Sequence, residues 1–240
     1  MTQHFRAHMR AAVAAAAFLM LGSPVGAEAV ATNAPVATVS GIPLDSAWKQ
    51  KLYSFAREKL LHPAWGWTHS ERDYLLAKQL AQKEGMRLDD DVLFAAAFTH
   101  DIGAIGEFQK EGVDHAERSA ELVGPLLERF GFPAEKVPAV RQAILGHMWN
   151  KVPAHLNEAI VLHDADTLDF LGTIGVARRI SATGSAATYS GGVDRIRLFT
   201  EKLPPTLITA TAKKMAPARV AEMRRFLHEL DAQDFGGQLP

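Results

Sequence analysis

The chain has 240 residues, a formal net charge of −1 and no cysteine. The absence of cysteine excludes disulfide bonds and thiolate metal ligands. A net charge this close to zero gives no argument for a nucleic-acid polymer as a partner, although a small phosphorylated substrate needs only a local group of cations.

Residues 1–27 have the organisation of a secretory signal peptide. Arg6 and Arg10 lie in a short segment without acids, residues 11–21 are apolar, and Val25-Gly26-Ala27 has the spacing of a cleavage site. The apolar run is shorter than a membrane span, which needs about 20 residues. We therefore predict export, to a bacterial periplasm, with no membrane span in the mature protein. A retained N-terminal anchor is the alternative.

The remainder of the chain predicts one all-α domain. Residues 28–44 are small and lack helical periodicity, which indicates a linker, and residues 233–240 form a tail with glycine and proline. Between them, over residues 45–232, apolar residues recur at intervals of three and four, without convincing β-alternation or internal repeats. This pattern predicts a single-domain helical bundle of about eight helices.

The first predicted helix covers residues 47–61. A capping box at Thr68-His69-Ser70-Glu71 predicts the start of the second helix, which runs to about Lys83. The third helix begins within residues 88–91 and ends around His100, after a run of small apolar side chains.

Five or six further helices complete the predicted bundle. Caps and helical periodicity predict helices over residues 114–131 and 133–149, and a long helix over 157–180. Residues 184–192 are small and predict a loop. Two or three helices follow, the last of them over residues 217–230.

His100 and Asp101 follow the apolar run at the end of the third predicted helix. Two metal-ligand residue types at a buried helix end are costly unless a partner compensates them, and a divalent cation is one such partner. Further candidates lie on other predicted helices or helix ends, and a bundle can bring such residues to one site. These candidates are His69, His115, His147 and Asp166.

The mixture of imidazole and carboxylate indicates which ions suit this set. We expect one or two divalent ions, of Mn, Fe, Zn, Ni, Co or Mg, since six candidates exceed the need of one ion and Asp101 can bridge a pair. Asp164 and Asp166 compete for the last ligand position because residues two apart point to different sides of a helix. We favour Asp166, which leaves Asp164 a capping or supporting role.

Several segments around these residues carry a family resemblance. They are Thr99-His100-Asp101-Ile102-Gly103, Asp114–Ala120, Leu162–Asp169 and Gly172–Arg178. With His69, and in this order, they make residues 45–197 resemble the metal-dependent phosphohydrolases of the HD superfamily, in particular a bacterial subgroup. The chain departs from that subgroup because it lacks an aspartate near His62-Pro63 and a basic residue at Thr167, which affects the substrate more than the metal.

The resemblance implies a role for each candidate. Four residues are implied to be metal ligands: His69, His100, Asp101 and Asp166. His115 and His147 are implied to bind a second metal or the substrate phosphate. Arg178-Arg179 is implied to contact the substrate, although adjacent helical residues do not share a face.

Together these residues predict a hydrolase that cleaves a small phosphate ester or nucleotide with a metal-bound hydroxide. The chain has no cysteine and no G-x-S-x-G motif to supply another nucleophile. We predict that Asp101 and His115 take part in catalysis, and that Arg72 and Arg118, each three residues after a candidate histidine, contact the phosphate. Two alternatives stay open: a di-iron oxygenase on the same scaffold, and a non-catalytic periplasmic module that binds metal or nucleotide.

Overall fold

Helices account for the regular structure of residues 36–234, which are the part of the chain that the computed structural model describes. Within that range the α-helices are α1 (Ala47–Lys59), α2 (Trp67–Glu84), α3 (Asp90–Ala97), α4 (His115–Phe130), α5 (Val137–Leu145), α6 (Asn157–Asp169), α7 (Gly172–Ser181), α8 (Ser190–Lys202) and α9 (Ala210–Gln233). The prediction of an all-α fold is confirmed, with nine α-helices in these residues where about eight were expected.

The predicted signal peptide at residues 1–27, the start of the predicted linker at 28–35 and the end of the tail at 235–240 lie outside the described residues. The second half of the predicted linker packs against the bundle, since Ile42 and Leu44 are buried. None of the helices within residues 36–234 combines the length and the apolar character that crossing a membrane requires.

Two buried helices, α3 and α6, lie at the centre of the bundle. Every residue from Val92 to Ala97 is buried, and three consecutive alanines in this stretch let neighbouring helices approach closely. α6 is buried along almost its whole length and packs against both α2 and α3. Because α6 carries acidic and imidazole side chains into this interior, each of them needs a compensating partner.

The predicted start of the second helix is wrong by two residues. α2 begins at Trp67 with Gly66 as its N-cap, so Thr68 lies inside the helix and forms no capping box. A Cβ at Gly66 would lie 2.4 Å from the carbonyl oxygen of Leu60, so only glycine allows this close approach of the two chain segments. His69 is thereby placed in the first turn of α2.

The long helix predicted over residues 157–180 is also wrong, because the chain breaks it into α6 and α7. The break lies at Phe170 and Leu171, and Gly172 follows with a φ of +76°, in the left-handed region that favours glycine. Apolar residues continue at helical spacing across the break, so periodicity alone does not reveal it. The reversal turns α7 back so that Arg178 contacts Asp169 at the end of α6.

Other boundaries differ less. The fifth helix ends at Leu145 rather than continuing to Trp149, and α9 begins at Ala210, seven residues before Pro217. Thr209 caps α9 by accepting a hydrogen bond from the backbone N–H of Ala212.

Candidate metal centre

Five of the six predicted metal ligands lie at helix ends or just beyond them, and the sixth lies within α6. His69 is in the first turn of α2, His100 and Asp101 follow α3, His115 begins α4, and His147 follows α5. Asp166 projects from α6. The structure brings all six together, since each has a nitrogen or oxygen within 3.6 Å of another member of the set.

Three of the histidines are oriented by hydrogen bonds from Nδ1. His100 donates to the carbonyl oxygen of Ala97 at 2.9 Å, and His147 donates to that of Ile144 at 2.6 Å. His69 is held in the same way by a carboxylate, as described below. Because a carbonyl oxygen only accepts, Nδ1 carries the proton in His100 and His147, and their Nε2 atoms face the cluster with a lone pair available to a metal ion.

The Nε2 atom of His69 lies at the centre of the first group of ligands. It is 3.2 Å from Nε2 of His100 and 3.2 Å from Oδ1 of Asp166. These side chains are fully or almost fully buried. Imidazole nitrogens and carboxylate oxygens that converge this closely in the interior form a donor set suited to a transition-metal ion.

Asp101 divides its two carboxylate oxygens between two pairs of histidines. Oδ2 lies 3.6 Å from Nε2 of His69 and 3.4 Å from Nε2 of His100. Oδ1 lies 3.3 Å from Nε2 of His115 and 3.5 Å from Nε2 of His147. A carboxylate placed between two ligand groups in this way can bridge two ions.

Asp73 also belongs to the cluster, and the sequence interpretation missed it. Its Oδ2 lies 3.1 Å from Nε2 of His69 and 3.6 Å from Nε2 of His100, and the side chain is completely buried. The signal that could have revealed it is spacing: Asp73 is four residues after His69 in α2, and residues at this interval share a helix face.

The charges of the cluster show that a cation fits it. Neither oxygen of Asp73 has a hydrogen-bond partner, and Oδ1 of Asp166 has none either. Burial raises the pKa of Asp73 well above its usual range, and the nearby carboxylates add to the rise. Buried carboxylate oxygens without donors are costly, and a divalent ion supplies the positive charge that they lack.

The imidazoles and carboxylates of the cluster shift one another's pKa values in opposite directions. Burial lowers the pKa of His69, but the surrounding carboxylates, including Asp73 and Asp166, outweigh burial and raise it to about 9. Burial also raises the pKa of Asp101, but His100 and the other neighbouring imidazoles hold it well below its usual range. Asp101 is therefore ionised, and the same acids that attract a proton to His69 would attract a metal ion.

Asp169 supports the cluster from behind. It accepts a hydrogen bond from Nδ1 of His69 at 2.8 Å, from Arg72 at 2.9 Å and from Arg178 at 3.0 Å. Burial raises the pKa of Asp169, but His69 and the two arginines outweigh burial and lower it strongly. The sequence interpretation quoted Asp169 within a motif but assigned it no role.

The structure does not bring Arg72 or Arg118 into the metal-facing cavity. Arg72 forms a two-nitrogen contact with Asp169 on the far side of His69. Arg118 donates to the carbonyl oxygen of Phe108 and pairs with Glu121 at 2.9 Å. Both guanidinium groups are therefore engaged elsewhere, and the phosphate contacts expected of these two arginines stay predictions.

The competition between Asp164 and Asp166 has a clear geometric outcome. Asp164 accepts hydrogen bonds from the backbone N–H groups of Ile208, at 2.9 Å, and Thr209, at 2.7 Å, so it anchors the start of α9. His163 lies beside it, with Nδ1 3.2 Å from Oδ1 of Asp164. The structure therefore brings Asp166, and not Asp164, to the cluster.

A cavity of about 300 Å³ opens onto the cluster. Its lining includes four members of the cluster: Asp101, His115, His147 and Asp166. Aromatic side chains form its walls: Trp65, Trp149, Phe170 and Phe199. Of the site histidines, His115 has the most exposed side chain, at 29%. A small molecule entering this cavity would meet the metal-ligand residues directly.

Comparison with known proteins places this arrangement in a family. A family model for the HD domain matches residues 66–171, which include His69, the His100-Asp101 pair and Asp166. The crystal structure of a predicted HD superfamily hydrolase from an uncultured Thermotogales bacterium is 30% identical, over 77% of this chain and 91% of that one, with a TM-score of 0.53. The chain therefore belongs to the HD superfamily.

Other similar proteins share the fold. An HD-superfamily hydrolase from Bacillus thuringiensis is 23% identical over 79% of this chain and 97% of its own, with a TM-score of 0.56. YpgQ from Bacillus subtilis, crystallised in complex with ADP, is 23% identical over 78% of this chain and 97% of its own, with a TM-score of 0.58. An uncharacterized protein of Clostridium beijerinckii is 26% identical over 107 residues, which is 43% of this chain and 66%, just under two thirds, of that relative.

Membership of the HD superfamily supports a metal-dependent phosphohydrolase in general terms. The buried cluster of histidines and aspartates can hold a divalent metal ion.

Proposed function

We propose that the protein is a metal-dependent phosphohydrolase that cleaves a small phosphate ester or nucleotide. The observation that carries this proposal is the position of Asp101, whose two oxygens face separate histidine pairs. Such a carboxylate suits two ions, and paired ions of this kind stabilise the attacking and leaving oxygens of phosphoryl transfer.

The residues divide into two ligand groups. One ion would be held by the group His69, Asp73, His100 and Asp166 together with Asp101, and a second by Asp101, His115 and His147. A divalent cation bound there lowers the pKa of a coordinated water and offsets negative charge on a phosphoryl oxygen. The chain itself supplies the orientation of the donors, because the Nδ1 hydrogen bonds fix which nitrogen of His69, His100 and His147 faces inward.

The walls of the cavity favour the same chemistry. The rings of Phe170 and Phe199 have centroids 5.3 Å apart, and Trp149 packs edge-on against Phe199. Aromatic walls exclude bulk water, so that charges within the cavity interact more strongly than they would in solvent. His115, the most exposed of the site histidines, lies where a phosphate group would enter and can present Nε2 to its oxygens.

One relative and the predicted signal peptide support the choice of substrate class. Similarity to YpgQ, which was crystallised with ADP, favours including nucleotides among the compounds tested. The predicted signal peptide at residues 1–27 leads us to propose that hydrolysis takes place outside the cytoplasm, on phosphate compounds available there.

The test combines metal analysis with a hydrolysis panel. Purified protein is analysed for bound metals and assayed with p-nitrophenyl phosphate esters and nucleotides in the presence of Mn²⁺, with Asp101→Asn and Asp164→Asn as matched variants. We expect Asp101→Asn to lower metal content and turnover each by about 10- to 100-fold. Asp164→Asn should keep both per folded molecule. Full metal content and activity in the Asp101 variant would contradict the proposal.

The oxygenase alternative needs its own assay, because the same ligands can hold iron. Anaerobic loading with Fe²⁺ followed by measurement of oxygen consumption detects it. Hydrolysis with Mn²⁺ under argon, without oxygen uptake by the iron form, supports the hydrolase.

A further inference from the structure

Two arginines line the cavity at residues that form no part of the metal cluster. Arg179 belongs to α7 and Arg195 to α8, and both line the cavity that Asp101 and His115 also line. The lining of the cavity therefore combines an acidic metal-ligand group with two cations. This division of charge is the feature that the proposed function leaves unexplained.

Neither arginine forms an ion pair with an acid anywhere in residues 36–234. The other arginines near the site are occupied: Arg72 and Arg178 contact Asp169, and Arg118 contacts Glu121. Arg179 also has a buried Nε without a hydrogen-bond partner. A guanidinium group that faces a cavity and forms no ion pair has donors free for an anionic ligand.

The two cations also oppose one another. Burial lowers the pKa of Arg179, and the positive charges of Arg195 and Arg178 lower it further. Placing like charges together costs free energy that an anion between them would offset. Arg179 lies with its Cζ 5.6 Å from the centroid of Phe199, so an aromatic wall holds the guanidinium at the side of the cavity.

We propose that Arg179 and Arg195 form a second anion-binding subsite, which holds a phosphate group of the substrate other than the one at the metal cluster. This inference rests on the proposed function and narrows its substrate to phosphoanhydrides, with nucleoside di- and triphosphates as the class that also uses the aromatic walls formed by Trp149 and Phe199. A monophosphate ester would engage the metal end and leave the arginines without a partner.

The experiment measures binding separately from turnover. The probes are α,β-methylene-ADP, whose bridge between the phosphates is not hydrolysed, and inorganic phosphate, which has only one phosphate group. Calorimetric titrations are performed on the full protein with Mn²⁺. We expect Arg179→Gln and Arg195→Gln each to weaken binding of α,β-methylene-ADP about 10-fold or more, while the affinity for inorganic phosphate changes less than about twofold.

Two further variants make the result specific. Arg197→Gln is the matched control, because Arg197 lies on the same helix as Arg195 and is also exposed, but it pairs with Asp231. We expect it to change neither affinity. Arg195 is exposed, so its substitution is expected to leave the fold intact, and Arg179→Lys keeps the charge if Arg179→Gln fails to fold. Arg179→Lys should bind α,β-methylene-ADP with intermediate affinity.

The outcomes separate this inference from the proposed function. Equal losses for both probes, no loss for either, or a wild-type protein without preference for α,β-methylene-ADP over inorganic phosphate would overturn the subsite. If the wild type hydrolyses phosphate compounds but the arginine variants bind α,β-methylene-ADP normally, the hydrolase proposal stands and the subsite proposal is wrong. If binding of α,β-methylene-ADP depends on Arg179 and Arg195 but no phosphate compound is hydrolysed, the subsite proposal stands and the proposed function is wrong.

Discussion

Asp169 accepts a hydrogen bond from Nδ1 of His69 at 2.8 Å, and this contact directs Nε2 of His69 toward Asp166. The same carboxylate is the partner of the buried Arg178. One side chain thus orients a metal ligand and neutralises a cation in the interior. Asp169 is a positioning residue, because its nearest histidine nitrogen is the one that faces away from the cluster.

We predict that Asp169→Asn weakens metal binding about 10- to 100-fold, as losses of hydrogen bonds behind metal ligands commonly do. The substitution also removes the charge that compensates Arg72 and Arg178, so the free energy of unfolding should fall by about 3 kcal/mol. Titration calorimetry with Mn²⁺ and urea unfolding measure the two effects. Asp164→Asn is the control, since Asp164 is a buried carboxylate of the same helix that contacts backbone N–H groups instead.

The control distinguishes two kinds of damage. Asp164→Asn should lower stability and leave the metal affinity of the folded protein unchanged. Equal metal affinities in wild type and Asp169→Asn would show that the hydrogen bond to His69 is not needed to hold the ion.

Substitution of Asp73 is expected to change the free energy of unfolding in the opposite direction from substitution of Asp169. Its carboxylate is buried and lacks donors, so Asp73→Asn should raise the free energy of unfolding of the metal-free protein by about 1 kcal/mol. The same change removes an oxygen 3.1 Å from Nε2 of His69, so metal affinity should fall about 10-fold. Thermal unfolding with and without Mn²⁺ reports both effects.

Glu71→Gln provides the matched control for Asp73, because Glu71 is a buried acid of the same helix that accepts from the backbone of Ser40. It should leave the stabilisation by Mn²⁺ unchanged. An Asp73→Asn protein that gains as much thermal stability from Mn²⁺ as the wild type would exclude Asp73 from the metal site.

The number of bound ions tests the bridging position of Asp101. We predict two ions per chain in the wild type and one in His147→Gln, because His147 faces only Oδ1 of Asp101 and the group around His69 stays complete. Elemental analysis after equilibrium dialysis gives the count. His163→Gln, which changes a buried histidine outside the cluster, should keep both ions. A wild type that binds one ion, retained in His147→Gln, would contradict the prediction.

The part of the fold that was predictable from sequence is the part controlled by local signals. Asp114 caps α4 and Gly131 ends it with a φ of +84°, as their residue types indicate. The break between α6 and α7 has a similar local signal in Gly172, whose φ is +76°, but the apolar spacing continues through Leu171 and favoured one long helix. A Cβ at Gly175 would lie 2.1 Å from the carbonyl oxygen of Phe170, so the chain needs a second glycine just after this break.

The same distinction applies to the site. Spacing and residue type led to His100, Asp101 and Asp166, because a histidine or aspartate in an apolar helix is conspicuous. Arg72 also had suitable spacing, but its partner Asp169 is 97 residues away along the chain, and only the folded structure shows that this acid engages it. Sequence indicates which side chains have metal-binding chemistry, whereas their ion-pair partners decide which charges stay available to a ligand.

Asp90 gives a prediction about pH at a distance from the metal cluster. It accepts hydrogen bonds from Lys78 and Tyr74, each at 2.7 Å, and from Lys49 at 3.2 Å. Burial raises the pKa of Asp90, but these hydrogen bonds outweigh burial and lower it below its ordinary value. An acid whose pKa is lower in the folded protein stabilises the fold above its unfolded pKa, near 4, and loses this contribution as pH falls through the folded pKa.

Asp90→Asn should therefore lower the free energy of unfolding by about 1 kcal/mol at pH 7, a value reduced from that of a buried charged hydrogen bond because the Asp90 side chain is 38% exposed. The difference from wild type should shrink as pH falls below about 4, where the wild-type carboxylate also becomes protonated. Urea unfolding at a series of pH values measures it, with Glu135→Gln at an exposed position as the control. A difference that stays constant between pH 7 and pH 3 would show that the charge of Asp90 does not contribute, because only the ionised form accepts from both lysines as an ion-pair partner.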